Sequence, residues 1–239
     1  MRVDVPMDRR MRVTAIIPAL DEEGAIGETV AHLDRSLVQE ILVVDNGSRD
    51  RTAERAMAAG ARVVRELRRG YGSACLAGVR AAGDSTVLVF LDGDGSDDPQ
   101  DLPRVLAPIM DGEADLVLGS RLRGMRQPGS LSTHQLWGNR VVLALLRLLY
   151  GVHLTDFGPF RAIRAEILAG LRMSHPSYGW PVEMVVKAAK HGLRIVEVPV
   201  NYRRRIGQSK VAGTLSGSLL AGYHLIATTL RYAWGRRSL

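Results

Sequence analysis

The apolar runs predict an α/β protein, with a mostly parallel, doubly wound sheet flanked by helices and amphipathic helices toward the C-terminus. Three observations carry this reading. Short β-branched runs recur through the first half of the 239-residue chain, at Val13–Pro18, Glu40–Asp45, Ala61–Arg65, Ser85–Leu91 and Ala114–Gly119. Stretches of helical periodicity separate them, and strands joined by crossover helices pair in parallel. With 46% hydrophobic and 24% charged residues and a mean hydropathy near zero, the chain has enough apolar material for a sizeable core and is not disordered.

Met1–Arg12 is charged throughout and reads as a polar tail. Val13–Pro18 is a buried strand ended by proline. Asp21 is the expected N-cap of a helix over Glu22–Ser36, whose first-turn acids suit the helix dipole. Glu40–Asp45 is the second strand, and Ser48 or Asp50 is placed to cap a helix over Arg51–Ala59. Ala61–Arg65 forms the third strand, Gly72–Gly83 the third helix and Ser85–Leu91 the fourth strand. A helix over Pro99–Met110 and a strand over Ala114–Gly119 complete the alternation. Beyond residue 120 the rhythm changes. Leu136–Leu149 is helical and apolar nearly all round, interrupted by Arg140 and Arg147. Pro181–His191 is helical, Arg194–Val200 a strand and Arg203–Gly213 a basic loop. Leu215–Trp234 is helical, with Leu215, Leu219, Tyr223, Ile226 and Leu230 three or four residues apart. No repeat or Pro/Gly/Ser linker interrupts residues 13–239, which read as one domain.

The formal charge of +7 is unevenly placed: residues 190–239 hold nine basic side chains against one acid, Glu197. Such an end meets nucleic acid, anionic lipid or a phosphorylated ligand. The single cysteine, Cys75, excludes an intramolecular disulfide framework and a multi-cysteine metal site, and is expected in the core. The histidines lack ligand spacing. No N-terminal run has the apolar core of a signal peptide, and no stretch reaches the ~18 uncharged apolar residues of a spanning helix. The expected location is the cytoplasm, with peripheral contact at the inner face of the membrane left open.

Ligands of a doubly wound sheet sit beyond the carboxyl ends of its strands. Acids gather there: Asp21 and Glu22 after the first strand, Asp45 after the second, Asp92 and Asp94 after the fourth. Such clusters repel unless a cation joins them, and Asp92-Gly93-Asp94 offers two hard oxygen donors suited to Mg²⁺ or Mn²⁺. Asp50 and Asp97 read instead as cap or turn residues. The motifs run in the order PALDE (18–22), VVDNGSRD (43–50), RGYGSA (69–74), LDGDGSDDP (91–99), GSR (119–121) and YRRRIGQSKV (202–211). This succession resembles the glycosyltransferase family 2 enzymes of GT-A fold, and within them the dolichol- or polyprenyl-phosphate sugar synthases. The resemblance runs from Val13 to Val211. One acidic triplet is frequent by chance; six blocks in order are not.

The resemblance implies a metal-dependent, inverting glycosyltransferase with a nucleotide-sugar donor of GDP-mannose or UDP-glucose type. Residues 13–120 would bind the donor and 121–239 the acceptor. Pro18, Leu20 and Glu22 would line the nucleotide pocket and Asp45 would hydrogen-bond the base or ribose; Asn46 stands where the family usually has a second Asp. Gly70 and Gly72 would let backbone approach the nucleotide closely, beside Arg69. Asp92 would face the nucleotide-sugar and Asp94 would ligate Mg²⁺ or Mn²⁺, with Ser96 where these synthases usually have a metal-assisting Gln. Ser120, Arg121, Arg161, Arg203, Arg205, Ser209 and Lys210 would surround an acceptor phosphate, which suits bidentate arginine. Asp156 and Glu183, in TDFGPFR and GWPVEM, would orient an arginine, act as a base or form a buried ion pair. With Asp94 and Arg121 they complete the catalytic candidates.

An anionic lipid phosphate needs positioning rather than a strong base, whereas a hydroxyl acceptor needs a carboxylate. No residue stands out as that base, which favours a polyprenyl phosphate acceptor, as in cell-envelope glycan synthesis. A non-lipid hydroxyl acceptor and a nucleotidyltransferase stay open as alternatives, although the latter expects a Gly-rich basic turn where PALDEEG stands. No nucleic-acid partner is expected, since clustered stacking aromatics are lacking. Leu136–Tyr150 and Leu215–Trp234, the latter followed by Arg236 and Arg237, resemble helices that lie in a membrane interface. Packing on the sheet or in a homo-oligomer is the alternative for both.

Overall fold

A computed structural model of the chain describes residues 11–207 and 215–234, with side chains for 11–207 and 222–233. The first ten residues of the polar tail, Ser209, Lys210, Arg236 and Arg237 therefore lie outside the described residues, as does the Trp234 side chain. Seven strands form one sheet: β1 (Val13–Ala19), β2 (Glu40–Asp45), β3 (Arg62–Arg65), β4 (Val87–Phe90), β5 (Leu116–Ser120), β6 (Arg161–Arg164) and β7 (Ile195–Pro199). Their spatial order is β3-β2-β1-β4-β6-β5-β7. β1 pairs in parallel with β2 and β4, and β5 with β7, while β6 runs antiparallel between β4 and β5. The sheet is thus mostly parallel, as the alternation predicts, and six carboxyl-terminal strand ends share one edge.

Both faces of the sheet are covered. α1 (Ile26–Ala31), α2 (Thr52–Ala58) and α4 (Leu102–Met110) bury Ile26, Val30, Ala56, Leu102, Val105 and Leu106 against Ala15, Ile17 and Val43. On the other face, α3 (Tyr71–Ala81), α5 (Thr133–Tyr150), α6 (Ala165–Leu171) and α7 (Trp180–Lys190) bury Ala74, Val142, Leu146, Leu168 and Trp180 against Ile16, Leu42 and Phe90. The final helix, α8 (Leu215–Trp234), packs on α5 and α7 through Leu225, Ile226 and Tyr232. Burying β1 on both faces explains why its run is apolar without alternation. Cys75 is fully buried, as expected of a core residue.

Two local expectations are corrected. Asp21 caps no helix: it takes a left-handed φ of 53°, and α1 begins only at Ile26. Its carboxylate instead accepts the Arg49 N–H at 2.7 Å, while its own N–H donates to Ser48 Oγ at 3.0 Å, which ties the ends of β1 and β2 together. α1 also stops at Ala31, because the Asp34 carboxylate captures the Ser36 N–H and hydroxyl in a competing turn. In addition, β6 and α6 fill the stretch between the Leu136 helix and the Pro181 helix, to which the sequence assigns no element.

Candidate active site

A cleft of about 470 Å³ opens at the shared strand edge. Pro18, Leu20 and Glu22 line it from the end of β1, Asn46 from β2, Asp92 and Asp94 from β4, and Arg69, Gly70 and Tyr71 from the start of α3. Ser177 and Tyr178, on the segment before α7, and Arg205 complete the walls. Eight of the residues expected at a nucleotide-sugar or acceptor site therefore meet here: Pro18, Leu20, Glu22, Arg69, Gly70, Asp92, Asp94 and Arg205. They come from loops spread over nearly 190 positions of sequence and converge because parallel strands deliver every loop to the same edge.

The cleft is acidic at its floor. Asp94 is buried, with Oδ1 accepting from the Ser96 N–H at 2.9 Å and the Ser96 hydroxyl at 2.5 Å. Arg205 Nη2 lies 3.1 Å from Asp94 Oδ2 and 3.1 Å from Glu22 Oε1, bridging two carboxylates. Burial, reinforced by the nearby Asp94 charge, pushes the Asp92 carboxyl up to about 7. Asp97, a turn residue in the sequence reading, is buried beneath them and accepts the Asp92 N–H at 2.9 Å. Asp92 and Asp94 fit a hard divalent cation: they supply only oxygen donors, and a guanidinium already bridges one of them. Among the described residues no group of three or more His, Cys, Asp or Glu side chains gathers as a metal site, so a metal here would complete its shell from solvent or substrate.

Several expected site residues are placed elsewhere. Asp45 does not line the cleft; its carboxylate accepts the Ser48 N–H at 2.8 Å and closes the turn after β2. Asn46 lines the cleft instead, and the amide explains why an aspartate would not serve. Its Nδ2 donates to the carbonyls of Glu66 and Arg68 at 2.9 Å each, and its Oδ1 accepts the Gly70 N–H at 2.8 Å. Gly72 is needed for a protein segment rather than a nucleotide, since a Cβ there would stand 2.0 Å from the His175 carbonyl oxygen. Gly70 has both roles to fill: it lines the cleft, and its Cβ would stand 2.2 Å from the Pro176 oxygen.

The acceptor-side set divides. Ser120 is fully buried and shares a 2.7 Å hydrogen bond with the Thr155 hydroxyl. Arg121 and Asp156 form a buried bidentate pair, with Nε–Oδ2 at 2.7 Å and Nη2–Oδ1 at 2.8 Å. Burial opposes the Asp156 charge, but the Arg121 guanidinium and its hydrogen bonds hold this carboxyl below its ordinary range. Both Asp156 carboxylate oxygens are thus engaged by the Arg121 guanidinium. Arg161 is 1% exposed, and its guanidinium is used by the carbonyls of Phe157, Gly158 and Pro181, so no solute reaches it. Glu183 is also fully buried and lies outside the cleft, ion-paired to Lys187 at 2.8 Å. Arg203 faces a second, shallower groove with Met125, Gln127 and Asn201, where it pairs with Asp98 at 2.7 Å. Tyr71 lies within RGYGSA but carries no expected role, Ser177 and Tyr178 lie outside every motif, and the fold brings all three to the cleft.

Comparisons with known proteins agree with this architecture. The family model "Glycosyl transferase family 2" matches residues 14–172. A glycosyltransferase of Mycobacterium tuberculosis, itself named uncharacterized, is 41% identical over 212 residues, covering 87% of this chain and 94% of that one. The undecaprenyl-phosphate mannosyltransferase of Micrococcus luteus is 33% identical over 225 residues, covering 87% and 90% respectively. Among solved structures, glucosyl-3-phosphoglycerate synthase from M. tuberculosis, in complex with Mn²⁺, UDP-glucose and phosphoglyceric acid, superposes with a TM-score of 0.77 at 26% identity. The match covers 100% of this chain and 87% of that one.

Proposed function

The chain belongs to glycosyltransferase family 2, and from that premise we propose that it moves a sugar, with inversion, from a nucleoside-diphosphate sugar to a polyprenyl phosphate. One observation carries this reading: Asp92, Asp94 and Arg205 meet in a single cleft, with the arginine held against two carboxylates. Pro18, Leu20, Asn46, Arg69 and Gly70 would hold the nucleotide. Asp94, with Asp92 and Ser96, would hold Mg²⁺ or Mn²⁺, which supplies charge stabilisation for a departing diphosphate. Among the described residues, Arg205 is the cation paired with Glu22 and Asp94, and it would turn to an anionic acceptor when they are otherwise neutralised. Arg121, preset by Asp156, presents a fixed guanidinium beside Tyr202, 5.0 Å from its ring centre. An acceptor phosphate is already anionic, so its oxygen attacks the anomeric carbon without a base, and positioning supplies the acceleration. Support for the acceptor class comes from the M. luteus relative, whose name specifies undecaprenyl phosphate.

A phosphorylated lipid acceptor requires access to a bilayer. Among the described residues no helix is long and apolar enough to cross one. α5 offers a surface instead: Trp137 is 62% exposed, Leu148 80% and Val141 45%, interleaved with Arg140 and Arg147 and with no acid on the helix. Tryptophan and arginine on one exposed face suit the headgroup region of anionic lipid. Co-sedimentation with phosphatidylglycerol vesicles should therefore weaken several-fold in Arg140→Glu/Arg147→Glu; equal binding would remove α5 as the contact.

The function is tested with a panel of nucleotide sugars and Mg²⁺ or Mn²⁺, offered undecaprenyl phosphate or 3-phosphoglycerate. Transfer to the lipid alone supports the proposal. Transfer to 3-phosphoglycerate alone would reassign the acceptor to a soluble phosphate, and transfer to neither would overturn this reading. Asp94→Ala should abolish metal-dependent turnover while leaving the thermal midpoint nearly unchanged.

A further inference from the structure

The 174–178 segment forms one wall of the cleft through Ser177 and Tyr178, yet it belongs to no strand or helix. Two attachments hold it. On its inner side the Pro176 carbonyl accepts the Ser73 N–H at 2.9 Å and the Ser73 hydroxyl at 3.2 Å, directly above the glycine turn that opens α3. Gly70 and Gly72 make that approach physically accessible, because any Cβ would overlap the segment's carbonyl oxygens. On its outer side the attachment is one carboxylate. Glu183 Oε1 accepts the Ser174 N–H at 3.1 Å and its hydroxyl at 3.0 Å, and Oε2 accepts the His175 N–H at 2.8 Å.

The same Oε1 accepts the Tyr232 hydroxyl of α8 at 2.7 Å. α8 meets the segment at one further point and the glycine that follows it at another. The His224 ring lies edge-on to His175 at 5.4 Å, and Thr228 crowds Gly179, where a Cβ would stand 2.3 Å from its hydroxyl. A fully buried carboxylate carries a desolvation penalty that an apolar residue at the same place would avoid. Its retention here is matched by donors from three places: the segment, Lys187 one helical turn away, and α8.

We propose that Glu183 is a positioning residue for glycosyl transfer: it fixes the 174–178 wall against the glycine turn and makes α8 part of the donor site. This rests on the family-based function above. Loosening the wall frees Ser177 and Tyr178, and a donor must then order them on binding. The cost falls on donor affinity rather than on the acceptor or the bond-making step.

Three full-length proteins test it: the wild type, Glu183→Gln and Tyr232→Phe. Binding of UDP and GDP with Mn²⁺ is measured by calorimetry, and the kinetic constants are measured with the active donor. Glu183→Gln turns an amide toward the segment or toward Lys187, and should weaken nucleotide binding about tenfold. Tyr232→Phe removes one hydroxyl without disturbing the fold and should weaken it about threefold. Donor KM should rise in parallel, while kcat and the acceptor KM stay within about twofold. A merely structural role would lower the folded fraction, and kcat with it, and leave the dissociation constant unchanged; that result overturns the inference alone. A wild type that binds neither nucleotide overturns the proposed function and this inference with it. If Glu183→Gln fails to fold, unchanged binding in Tyr232→Phe is still sufficient to refute the link to α8.

Discussion

Replacing Asp156 with asparagine preserves its volume and removes its charge. Five donors converge on that carboxylate: the Arg121 N–H, Nε and Nη2, Asn139 Nδ2 and the Phe157 N–H. Oδ2 serves two and Oδ1 three, so an asparagine amide faces at least two donors whichever way it turns. Arg121, its side chain only 14% exposed, is left without its paired anion, a loss expected at up to ~3–5 kcal/mol for a broken buried pair. For a chain of this size that lowers Tm by about 6–20 °C. Removing both charges, as in Arg121→Met/Asp156→Leu, should cost less than either single change, because no ion is then stranded. The pH dependence follows from the native carboxyl being held below its ordinary range. Its contribution is complete above the unfolded value of ~3.9 and is lost as pH falls through the lower native value. The gap between wild type and Asp156→Asn, read by urea denaturation, should therefore be constant from about pH 6 upward and close in stronger acid. A gap below about 1 kcal/mol at pH 7 would refute the assignment of Asp156 as the anchor of Arg121.

Gly72→Ala and Gly138→Ala should have opposite signs. Alanine gains up to ~1 kcal/mol of helix propensity at either site, but at Gly72 its Cβ meets backbone that cannot retreat, for a net loss of about 1–3 kcal/mol. At Gly138, mid-α5, nothing lies within 4 Å and the denaturation midpoint should rise. Asn46→Asp strands the Glu66 and Arg68 carbonyls and should destabilise by ~1–3 kcal/mol. Calorimetry should also find nucleotide binding weakened, since the disturbed loop carries Arg69 and Gly70; unaltered binding would separate that loop from the donor.

The parallel half of the fold was legible because strands buried on both faces show as unbroken apolar runs, and their carboxyl ends mark the cleft. β6 was not, because only Ala162 and Ile163 stand between Arg161 and Arg164, without the pair of β-branched valines that marks β3; its partners β4 and β5 make it a strand. Of the acids the motifs single out, Asp92 and Asp94 line the cleft, whereas the Asp45 carboxylate closes its own turn. Arginine carries the same ambiguity. Nothing in the letters separates Arg205, which faces the cleft, from Arg161, whose charge is spent on three carbonyls. That distinction is one of depth, and depth is set by packing.

The antiparallel strand has a consequence for how the chain comes to be. β5 has only β6 and β7 as neighbours, so it finds no partner until more than forty further residues exist. During synthesis the outer edge of β4 stays uncovered over the same interval, with alternate residues of Val87–Phe90 offering bare backbone amides to any passing strand. Closure must span 71–77 positions at the β4–β6 seam, which makes folding slow relative to that of a chain of nearest-neighbour pairings. Fragments ending near residue 120 should accordingly precipitate, and nascent chains of that length are natural clients for a chaperone that shields exposed strand edges.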